Sequence, residues 1–322
     1  MTIGFVPQIK TMKEKIGVLG TGRIGAGEAT LAIGNGFPTV VVGRSSKGVQ
    51  SCREVVLQNW SELIQQGVAS DTNRDAAMRL LEITEVPDAL RDCTVVFEAV
   101  SESAEAKAEA YRTLGKFCLK DAVIASCTSS MQAEDLAAFV PEAERFAIAH
   151  PFQPAHLLPL VEVVRHPGTA DWAVERLCAL LRKLHRKIVV LNRCVPGLLV
   201  NRLAQALFRE AIYLMEQGVC SAEDIDLAVK YAVGMRYASM GLLEYFDDVG
   251  FALESVIAAN VYPDLCGTTE VQTTVLAGLA DGAVGRAAGR GLYDWEKKDQ
   301  TDFLLRKQAP YFCGVKDWDM PG

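Results

Sequence analysis

The stretch Ile16-Gly-Val-Leu-Gly-Thr-Gly-Arg-Ile-Gly25 decides the fold, because an apolar run leads directly into a Gly-x-Gly-x-x-Gly pattern. The run Ile16–Leu19 is typical of a buried strand, residues 24–36 of a helix of small side chains, and Thr39–Val42 of a second strand. In this context the first glycine permits a tight turn, the second lets a pyrophosphate approach the backbone, and the third lets the helix pack against the sheet. The stretch therefore predicts a dinucleotide-binding unit.

Apolar runs and helical patterns alternate beyond this unit. Further strands are predicted at 94–97, 122–125, 145–149, 160–164 and 187–191, and helices at about 45–66, 71–81, 104–119 and 170–184. Such alternation indicates a doubly wound, mostly parallel sheet. After Pro196-Gly197 the pattern becomes helical, with segments at about 198–217, 222–233, 239–260 and 270–281. We predict an α/β, Rossmann-like domain over residues 1–194 and an all-α domain over residues 195–322.

Composition excludes several classes of protein. Half of the 322 residues are hydrophobic, 23% are charged, and the net charge of -7 argues against a nucleic-acid partner. The nine cysteines form no CxxC pair, so we expect free thiols in a reducing compartment and no metal site. Since no apolar run approaches about 18 residues, we expect no membrane span and a cytoplasmic location.

The end of the second strand bears on the choice of dinucleotide. NAD sites usually carry a carboxylate there for the ribose 2′-hydroxyl. This chain has Gly43-Arg44-Ser45-Ser46-Lys47 instead. Because arginine suits a 2′-phosphate, the pattern favours NADP, with NAD as the alternative. A solvated basic turn is the simpler interpretation of the same residues.

A histidine and a glutamate are candidates for proton transfer. His150 ends the apolar run 145–149, where ligands bind in open α/β sheets, and Glu162 lies inside the apolar run Leu160–Val164. A carboxylate there needs a partner, and an imidazole facing it would be held as a general base. Taken singly, His150 is an ordinary loop histidine and Glu162 a strand residue on a solvated face. Ser126-Cys-Thr-Ser-Ser130 places hydroxyls at the same edge or caps the following helix.

Together these segments resemble the L-3-hydroxyacyl-CoA dehydrogenase superfamily. The resemblance extends from Lys15 to about Trp295 and rests on the order and spacing of seven segments. Besides the glycine loop, they are Phe97-Glu-Ala-Val-Ser-Glu102 with Lys107, Ser126-Cys-Thr-Ser-Ser130, His150-Pro-Phe-Gln-Pro154, Leu160-Val-Glu-Val-Val164, Pro196-Gly-Leu-Leu-Val-Asn-Arg-Leu203 and Gly289-Arg-Gly-Leu-Tyr293.

The resemblance implies a role for each matched residue. His150 is the general base, Glu162 holds it, and Ser129 and Asn201 lie beside the substrate oxygen. The residues expected around the dinucleotide are Gly20, Gly22, Arg23, Ile24, Gly25, Gly43, Arg44, Ser45, Ala99, Val100, Glu102, Lys107 and Ser129. The helical domain is expected to form a homodimer.

The resemblance implies an NAD(P)-dependent oxidoreductase that interconverts an L-3-hydroxyacyl substrate and its 3-keto form by hydride transfer. A CoA thioester is the leading substrate class, and a small free hydroxy acid is the alternative. The superfamily favours an L-3-hydroxyacyl-CoA thioester, but Gln153 replaces its usual Asn, and the long helix after the second strand has few of the lysines that hold CoA phosphates. Gly234-Met-Arg-Tyr-Ala238 is similar to the lambda-crystallin/L-gulonate 3-dehydrogenase and L-carnitine dehydrogenase branch, in which Arg236 would pair with a substrate carboxylate. An arginine at a dimer surface, and a catalytically silent crystallin-like protein, are the other interpretations.

Overall fold

A computed structural model describes residues 13–317 of the chain. Apolar, β-branched runs form the centre of the first part of the chain, because the central strands bury both of their faces between layers of helices. The described strands are β1 (Ile16–Leu19), β2 (Thr39–Val42), β3 (Leu81–Thr84), β4 (Val95–Glu98), β5 (Val123–Ser126), β6 (Phe146–Pro151), β7 (Leu160–Val164) and β8 (Lys187–Leu191). They form one sheet in the order β3-β2-β1-β4-β5-β6-β7-β8.

The helices follow the apolar periodicity of the sequence. They are α1 (Arg23–Gly34), α2 (Ser46–Gln65), α3 (Asp71–Met78), α4 (Ala104–Phe117), α5 (Ala133–Ala137), α6 (Asp171–Lys183), α7 (Val200–Glu216), α8 (Ala222–Ala228), α9 (Gly234–Ser239), α10 (Leu242–Val249), α11 (Phe251–Val261), α12 (Thr273–Ala280) and α13 (Gln300–Asp317). A π-helical turn, Val229–Val233, joins α8 to α9. The predicted Rossmann-like sheet followed by a helical region is confirmed.

The sheet is parallel except where β6 meets β7. The order reverses at β1 and β4, which are neighbours although β2 and β3 come between them in sequence. That switch point is where a crevice for a ligand opens at the carboxyl ends of the strands. β6 and β7 run antiparallel, with Ile148 opposite Val164 and His150 directly opposite Glu162.

The elements that were not predicted from the sequence include β3 and α13. β3 lies at the sheet edge and is partly exposed, so it lacks the continuous apolar run of a central strand, and the sequence pattern predicts a helix that ends there. α13 contains Pro310, a residue that normally indicates a helix end. Phe312 of this helix is nevertheless buried in the core beside the sheet.

The chain divides into two compact units. Among the described residues, one comprises 13–199 together with 304–317, and the other is Val200–Phe303. The domain ranges given above, 1–194 and 195–322, stay a prediction, and their ends at 1–12 and 318–322 lie outside the described residues. In the described part of the chain, no helix is both long and apolar enough to cross a membrane.

Candidate active site

The glycine turn between β1 and α1 leaves room for a ligand at one position and excludes side chains at two others. A Cβ atom on Gly20, where φ is 129°, would lie 2.3 Å from the carbonyl oxygen of Ala99, and one on Gly25 would lie 2.2 Å from that of Gly20. A Cβ on Gly22 would meet nothing within 4 Å. No side chain caps α1 at Gly22, so its first N–H groups are available to an anion.

A pocket of about 370 Å³ opens beside this turn. Its lining comes from the carboxyl ends of β1, β2 and β4, which places it at the switch point of the sheet. Among the residues predicted to bind the dinucleotide, the lining includes Gly22, Gly43, Arg44 and Ala99, and it also includes Gln153. The open space at Gly22 and the uncapped helix fit a pyrophosphate, so the residues present suit a dinucleotide.

The turn after β2 is basic and carries no acid. Arg44 is exposed and lines the pocket, and no carboxylate lies between Gly43 and Gln50. The hydroxyl of Ser45 accepts a hydrogen bond from the backbone N–H of Gly48, at 3.2 Å, and so caps the N-terminus of α2. Ser45 thus contributes to the helix end that faces this turn and does not itself line the pocket.

Charged residues at and beyond the end of β4 form a cluster around a buried lysine. The Nζ atom of Lys107 lies 3.0 Å from both carboxylate oxygens of Glu98 and 3.2 Å from Glu102. Glu98 is fully buried and Lys107 is 1% exposed. The ammonium is therefore committed to two carboxylates, and Lys107 does not line the pocket. Glu98 was missed as a site residue, although an acid that ends an apolar strand at the ligand-binding edge is a usable signal.

Glu102 holds the loop that follows β5. Its Oε1 atom accepts hydrogen bonds from the Thr128 hydroxyl at 2.5 Å and from the backbone N–H groups of Ser129 at 2.9 Å and Ser130 at 3.2 Å. Partial burial acts to raise the pKa of Glu102, but the Thr128 hydroxyl, Lys107 and the Ser129 amide together lower it below its usual value. Glu102 is therefore a carboxylate at neutral pH.

The strand pairing brings His150 and Glu162 together. Residues directly opposite in an antiparallel pair project to the same face, and the His150 Nδ1 atom lies 2.8 Å from Glu162 Oε2. The other oxygen, Oε1, accepts a hydrogen bond from the backbone N–H of Leu199 at 2.8 Å. Since a carboxylate can only accept, Nδ1 carries the proton, and the outer Nε2 is an acceptor. The ring of Phe152 packs against the imidazole, with 4.5 Å between centroids.

The other predicted substrate residues lie in two parts of the molecule. Ser129 is exposed just beyond β5, the parallel neighbour of β6, so it shares a sheet edge with His150. Asn201 lies in the first turn of α7, and Arg236 is an exposed residue of α9 whose guanidinium stacks on the ring of Tyr245 at 5.3 Å. Both belong to the second compact unit, and their roles at the site stay predictions.

Fold and site together define the class of protein, a dinucleotide-dependent dehydrogenase. The family models support this and narrow it. The model for the 3-hydroxyacyl-CoA dehydrogenase NAD binding domain matches residues 15–194, and the model for the 3-hydroxyacyl-CoA dehydrogenase C-terminal domain matches residues 197–295. The chain belongs to the 3-hydroxyacyl-CoA dehydrogenase family of oxidoreductases, which act on CH–OH groups with NAD.

Three relatives show the range of substrates in the family. An L-carnitine dehydrogenase from Oceanobacillus iheyensis is 30% identical over 306 residues, covering 91% of this chain and 96% of the relative. The crystal structure of an NAD+-dependent dismutase, 5-formyl-3-hydroxy-2-methylpyridine 4-carboxylic acid 5-dehydrogenase, has a TM-score of 0.86 at 25% identity, covering 97% and 100% of the two chains. The (S)-3-hydroxybutyryl-CoA dehydrogenase from Ralstonia eutropha has a TM-score of 0.73 at 26% identity, covering 87% and 98%.

Proposed function

We propose that this chain interconverts a secondary alcohol and its ketone by hydride transfer, with His150 as the general base. The observation that carries the proposal is the 2.8 Å contact between the Nδ1 atom of His150 and the buried carboxylate of Glu162. That contact fixes the tautomer in which Nε2 can accept a proton. A nicotinamide bound beside it supplies the hydride acceptor for the carbinol carbon.

The residues of the chain handle the proton. As the carbinol C–H bond breaks, His150 Nε2 takes the hydroxyl proton, and the oxygen becomes the carbonyl oxygen of the ketone. Glu162 stabilises the imidazolium that forms, and Ser129 contributes a hydroxyl at the same sheet edge. The imidazolium then releases its proton to solvent. Ketone reduction runs through the same steps in reverse.

Replacement of His150 tests the catalytic role. We expect His150→Asn to lower kcat by about 10²–10⁴-fold, the usual contribution of a general base, while the Kd for cofactor stays close to that of the parent. His185→Asn, a change at an exposed histidine, is the matched control. A variant at His150 that keeps the parent rate would exclude this mechanism. Tight cofactor binding by the parent with no turnover of any hydroxy acid would support the silent structural protein instead.

A free hydroxy acid is the substrate class that we favour over a CoA thioester. Along α2 the basic residues are Lys47 and Arg53, which is few for holding CoA phosphates. Relatives named for carnitine and for a pyridine carboxylate extend over most of this chain. Arg236 is our candidate for the substrate carboxylate, because a guanidinium can bind it in bidentate fashion.

The substrate choice is tested by comparing kcat/KM for 3-hydroxybutyryl-CoA with that for free 3-hydroxybutyrate, gulonate and carnitine. We expect the highest value for a free acid. We also expect Arg236→Ala to raise KM about 10-fold or more with little change in cofactor Kd, because it removes a charge-assisted contact. A preference for the thioester that survives this substitution would exclude the free-acid version.

NADP is the cofactor that the turn after β2 favours, with NAD as the alternative. The exposed guanidinium of Arg44 lies beside the N-terminus of α2, and both attract a phosphate. We expect Arg44→Ala to raise the KM for NADPH about 10-fold or more and to leave that for NADH nearly unchanged. Arg53→Ala, farther along the same helix, is the control. Equal use of NADH and NADPH by the parent protein would count against NADP.

A homodimer is the assembly that the second unit favours. Of the residues in Val200–Phe303, only Ile212 and Cys266 are buried, although eight of the eleven residues of α11 are apolar. Exposed apolar surface of this extent normally marks an interaction surface. We therefore expect a second copy of this chain to cover it.

Light scattering after gel filtration tests the dimer. We expect Val256→Glu, on α11, to shift the protein towards monomer, because it places a charge where the partner would pack. Val86→Glu changes a valine of similar exposure in the first unit and is the matched control, since Val86 is 57% and Val256 59% exposed. A monomeric parent protein at micromolar concentration would exclude the proposal.

A further inference from the structure

Five donor contacts converge on the fully buried carboxylate of Glu98, at the carboxyl end of β4. Besides two contacts from the Lys107 ammonium, it accepts hydrogen bonds from the Tyr111 hydroxyl at 2.8 Å, the Ser126 hydroxyl at 2.7 Å and the backbone N–H of Val100 at 2.9 Å. An uncompensated charge at such a position would be strongly unfavourable. The donors therefore compensate the buried carboxylate of Glu98.

Glu98 in turn determines where the Lys107 ammonium can lie. Lys107 is 1% exposed, so its charge needs acceptors within the protein, and Glu98 supplies two of its three contacts. The third is the carboxylate of Glu102, at 3.2 Å. Two anions thus share one cation, and Glu102 is held through Lys107 in a fixed position at the edge of the buried cluster.

Glu102 passes this constraint to the loop that carries Ser129. One of its oxygens faces Lys107, and the other accepts from the backbone N–H groups of Ser129 and Ser130 and from the Thr128 and Ser130 hydroxyls. Ser129 is itself exposed, and the Thr128 hydroxyl that donates to Glu102 also accepts from the Met131 amide at 3.1 Å, so the loop is organised around Glu102. A continuous series of contacts therefore connects Glu98, at the end of β4, with Ser129 at the proposed site.

We infer that Glu98 is a positioning residue that sets the place of Ser129 through Lys107 and Glu102. The contribution to turnover rests on the proposed dehydrogenase activity, but the positioning itself does not. In Glu98→Gln an amide oxygen at the Oε2 position keeps both hydroxyl donors and one contact from Lys107, but the NH2 group at the Oε1 position can accept from neither Lys107 nor the Val100 amide. The ammonium thereby loses the negative charge of its main partner and one of its three contacts. We expect it to shift, and Glu102 and the Ser129 and Ser130 amides that Glu102 holds to shift with it.

Hydrogen–deuterium exchange of a peptide spanning residues 127–131 tests the inference without any substrate. We expect Glu98→Gln and Glu102→Gln each to speed exchange of the Ser129 and Ser130 amides by about 10-fold or more, because each weakens a hydrogen bond to a charged acceptor. The double variant should exchange no faster than Glu102→Gln alone, since both changes act on one chain of contacts. Additive effects would overturn the inference.

The matched control is Glu28→Gln, which also replaces a buried glutamate of an ion pair, here with Arg186. We expect it to leave exchange at Ser129 and Ser130 unchanged. Equal acceleration by Glu28→Gln would reveal general destabilisation and overturn the inference. If Glu98→Gln does not fold, the charge-neutral double variant Glu98→Gln/Lys107→Gln replaces it, because loss of both charges of a buried pair is better tolerated than loss of one. It should show the same local acceleration.

Turnover provides a second readout that a purely structural role would not give. We expect Glu98→Gln to lower kcat by about 10-fold or more, because it displaces the loop that carries Ser129, whereas Glu28→Gln should keep the parent kcat. An unchanged kcat together with faster exchange would overturn the link to catalysis. If the parent protein oxidises no hydroxy acid, the proposed function fails, and the exchange experiment still decides whether Glu98 positions the loop.

Discussion

We expect replacement of Glu162 by glutamine to lower kcat through two effects, the loss of a negative charge beside His150 and a change of the His150 tautomer. The contact to His150 Nδ1 is 2.8 Å long and buried, with charge centres about 4 Å apart, which corresponds to about 4 kcal/mol of imidazolium stabilisation at an effective dielectric constant of 20. That energy alone predicts a loss of about 10³-fold in kcat. The buried carboxylate of Glu162 therefore stabilises the imidazolium more than a solvent-exposed carboxylate could.

The Leu199 amide adds a second effect. Because its N–H points at Glu162 Oε1, a glutamine must turn its oxygen towards Leu199 and its NH2 group towards His150. His150 Nδ1 then becomes the acceptor and Nε2 carries the hydrogen, so the outer nitrogen can no longer take a proton. We expect a total loss of between about 10³-fold and 10⁴-fold in kcat, as wrong-tautomer variants of catalytic histidines show.

Stopped-flow measurement of nicotinamide absorbance, with cofactor Kd from fluorescence, is the assay for Glu162→Gln. Glu82→Gln, the same chemical change on the edge strand β3, is the control, and we expect it to keep the parent rate. A Glu162→Gln variant that retains more than about a tenth of the parent kcat would refute the reasoning, since a general base held in the wrong tautomer cannot sustain that rate.

Two further predictions use single positions. Gly22→Ala should weaken cofactor binding about 10-fold or more with an unchanged Tm, because its Cβ would occupy only the space left for the ligand. Gly25→Ala should instead lower Tm, because its Cβ would lie 2.2 Å from the Gly20 carbonyl oxygen. Equal effects of the two variants on Tm in calorimetry and on Kd in cofactor titration would contradict this. Burial, aided by Arg186, lowers the pKa of His156 to about 4. The unfolded chain binds the proton first, so stability should fall from pH 6.5 to 5.0 by about 2 kcal/mol more in the parent than in His156→Gln, and parallel urea-unfolding curves would contradict that.

Local patterns were enough to predict much of the sheet and the glycine turn. β1, β2, β7 and β8 lie where their apolar runs predicted them, because each run is short, β-branched and flanked by turn or helix signals. β3 could not be found in this way. It pairs only with β2, and the polar residues Glu82 and Thr84 make its sequence similar to that of a helix end.

The contacts that complete the site come from distant parts of the chain. The Leu199 amide reaches Glu162 across 37 positions, and the Ser126 hydroxyl reaches Glu98 across 28. Neither residue carries a local signal for its role, since a backbone N–H is present at every position but proline. Sequence reasoning could place Glu162 beside a histidine, but it could not supply the second partner that fixes the orientation of the carboxylate.

One physical rule connects the part of the site that was predicted with the part that was missed. A carboxylate inside an apolar strand must be compensated, and this argument led from Glu162 to His150. Glu98 ends an equally apolar strand, so the same rule requires a partner for it. Lys107 is a cation on the helix that directly follows that strand, and it faces the sheet. The search for compensation, applied to every strand glutamate, would therefore have identified the Glu98–Lys107 pair as well, and with it the support for Glu102.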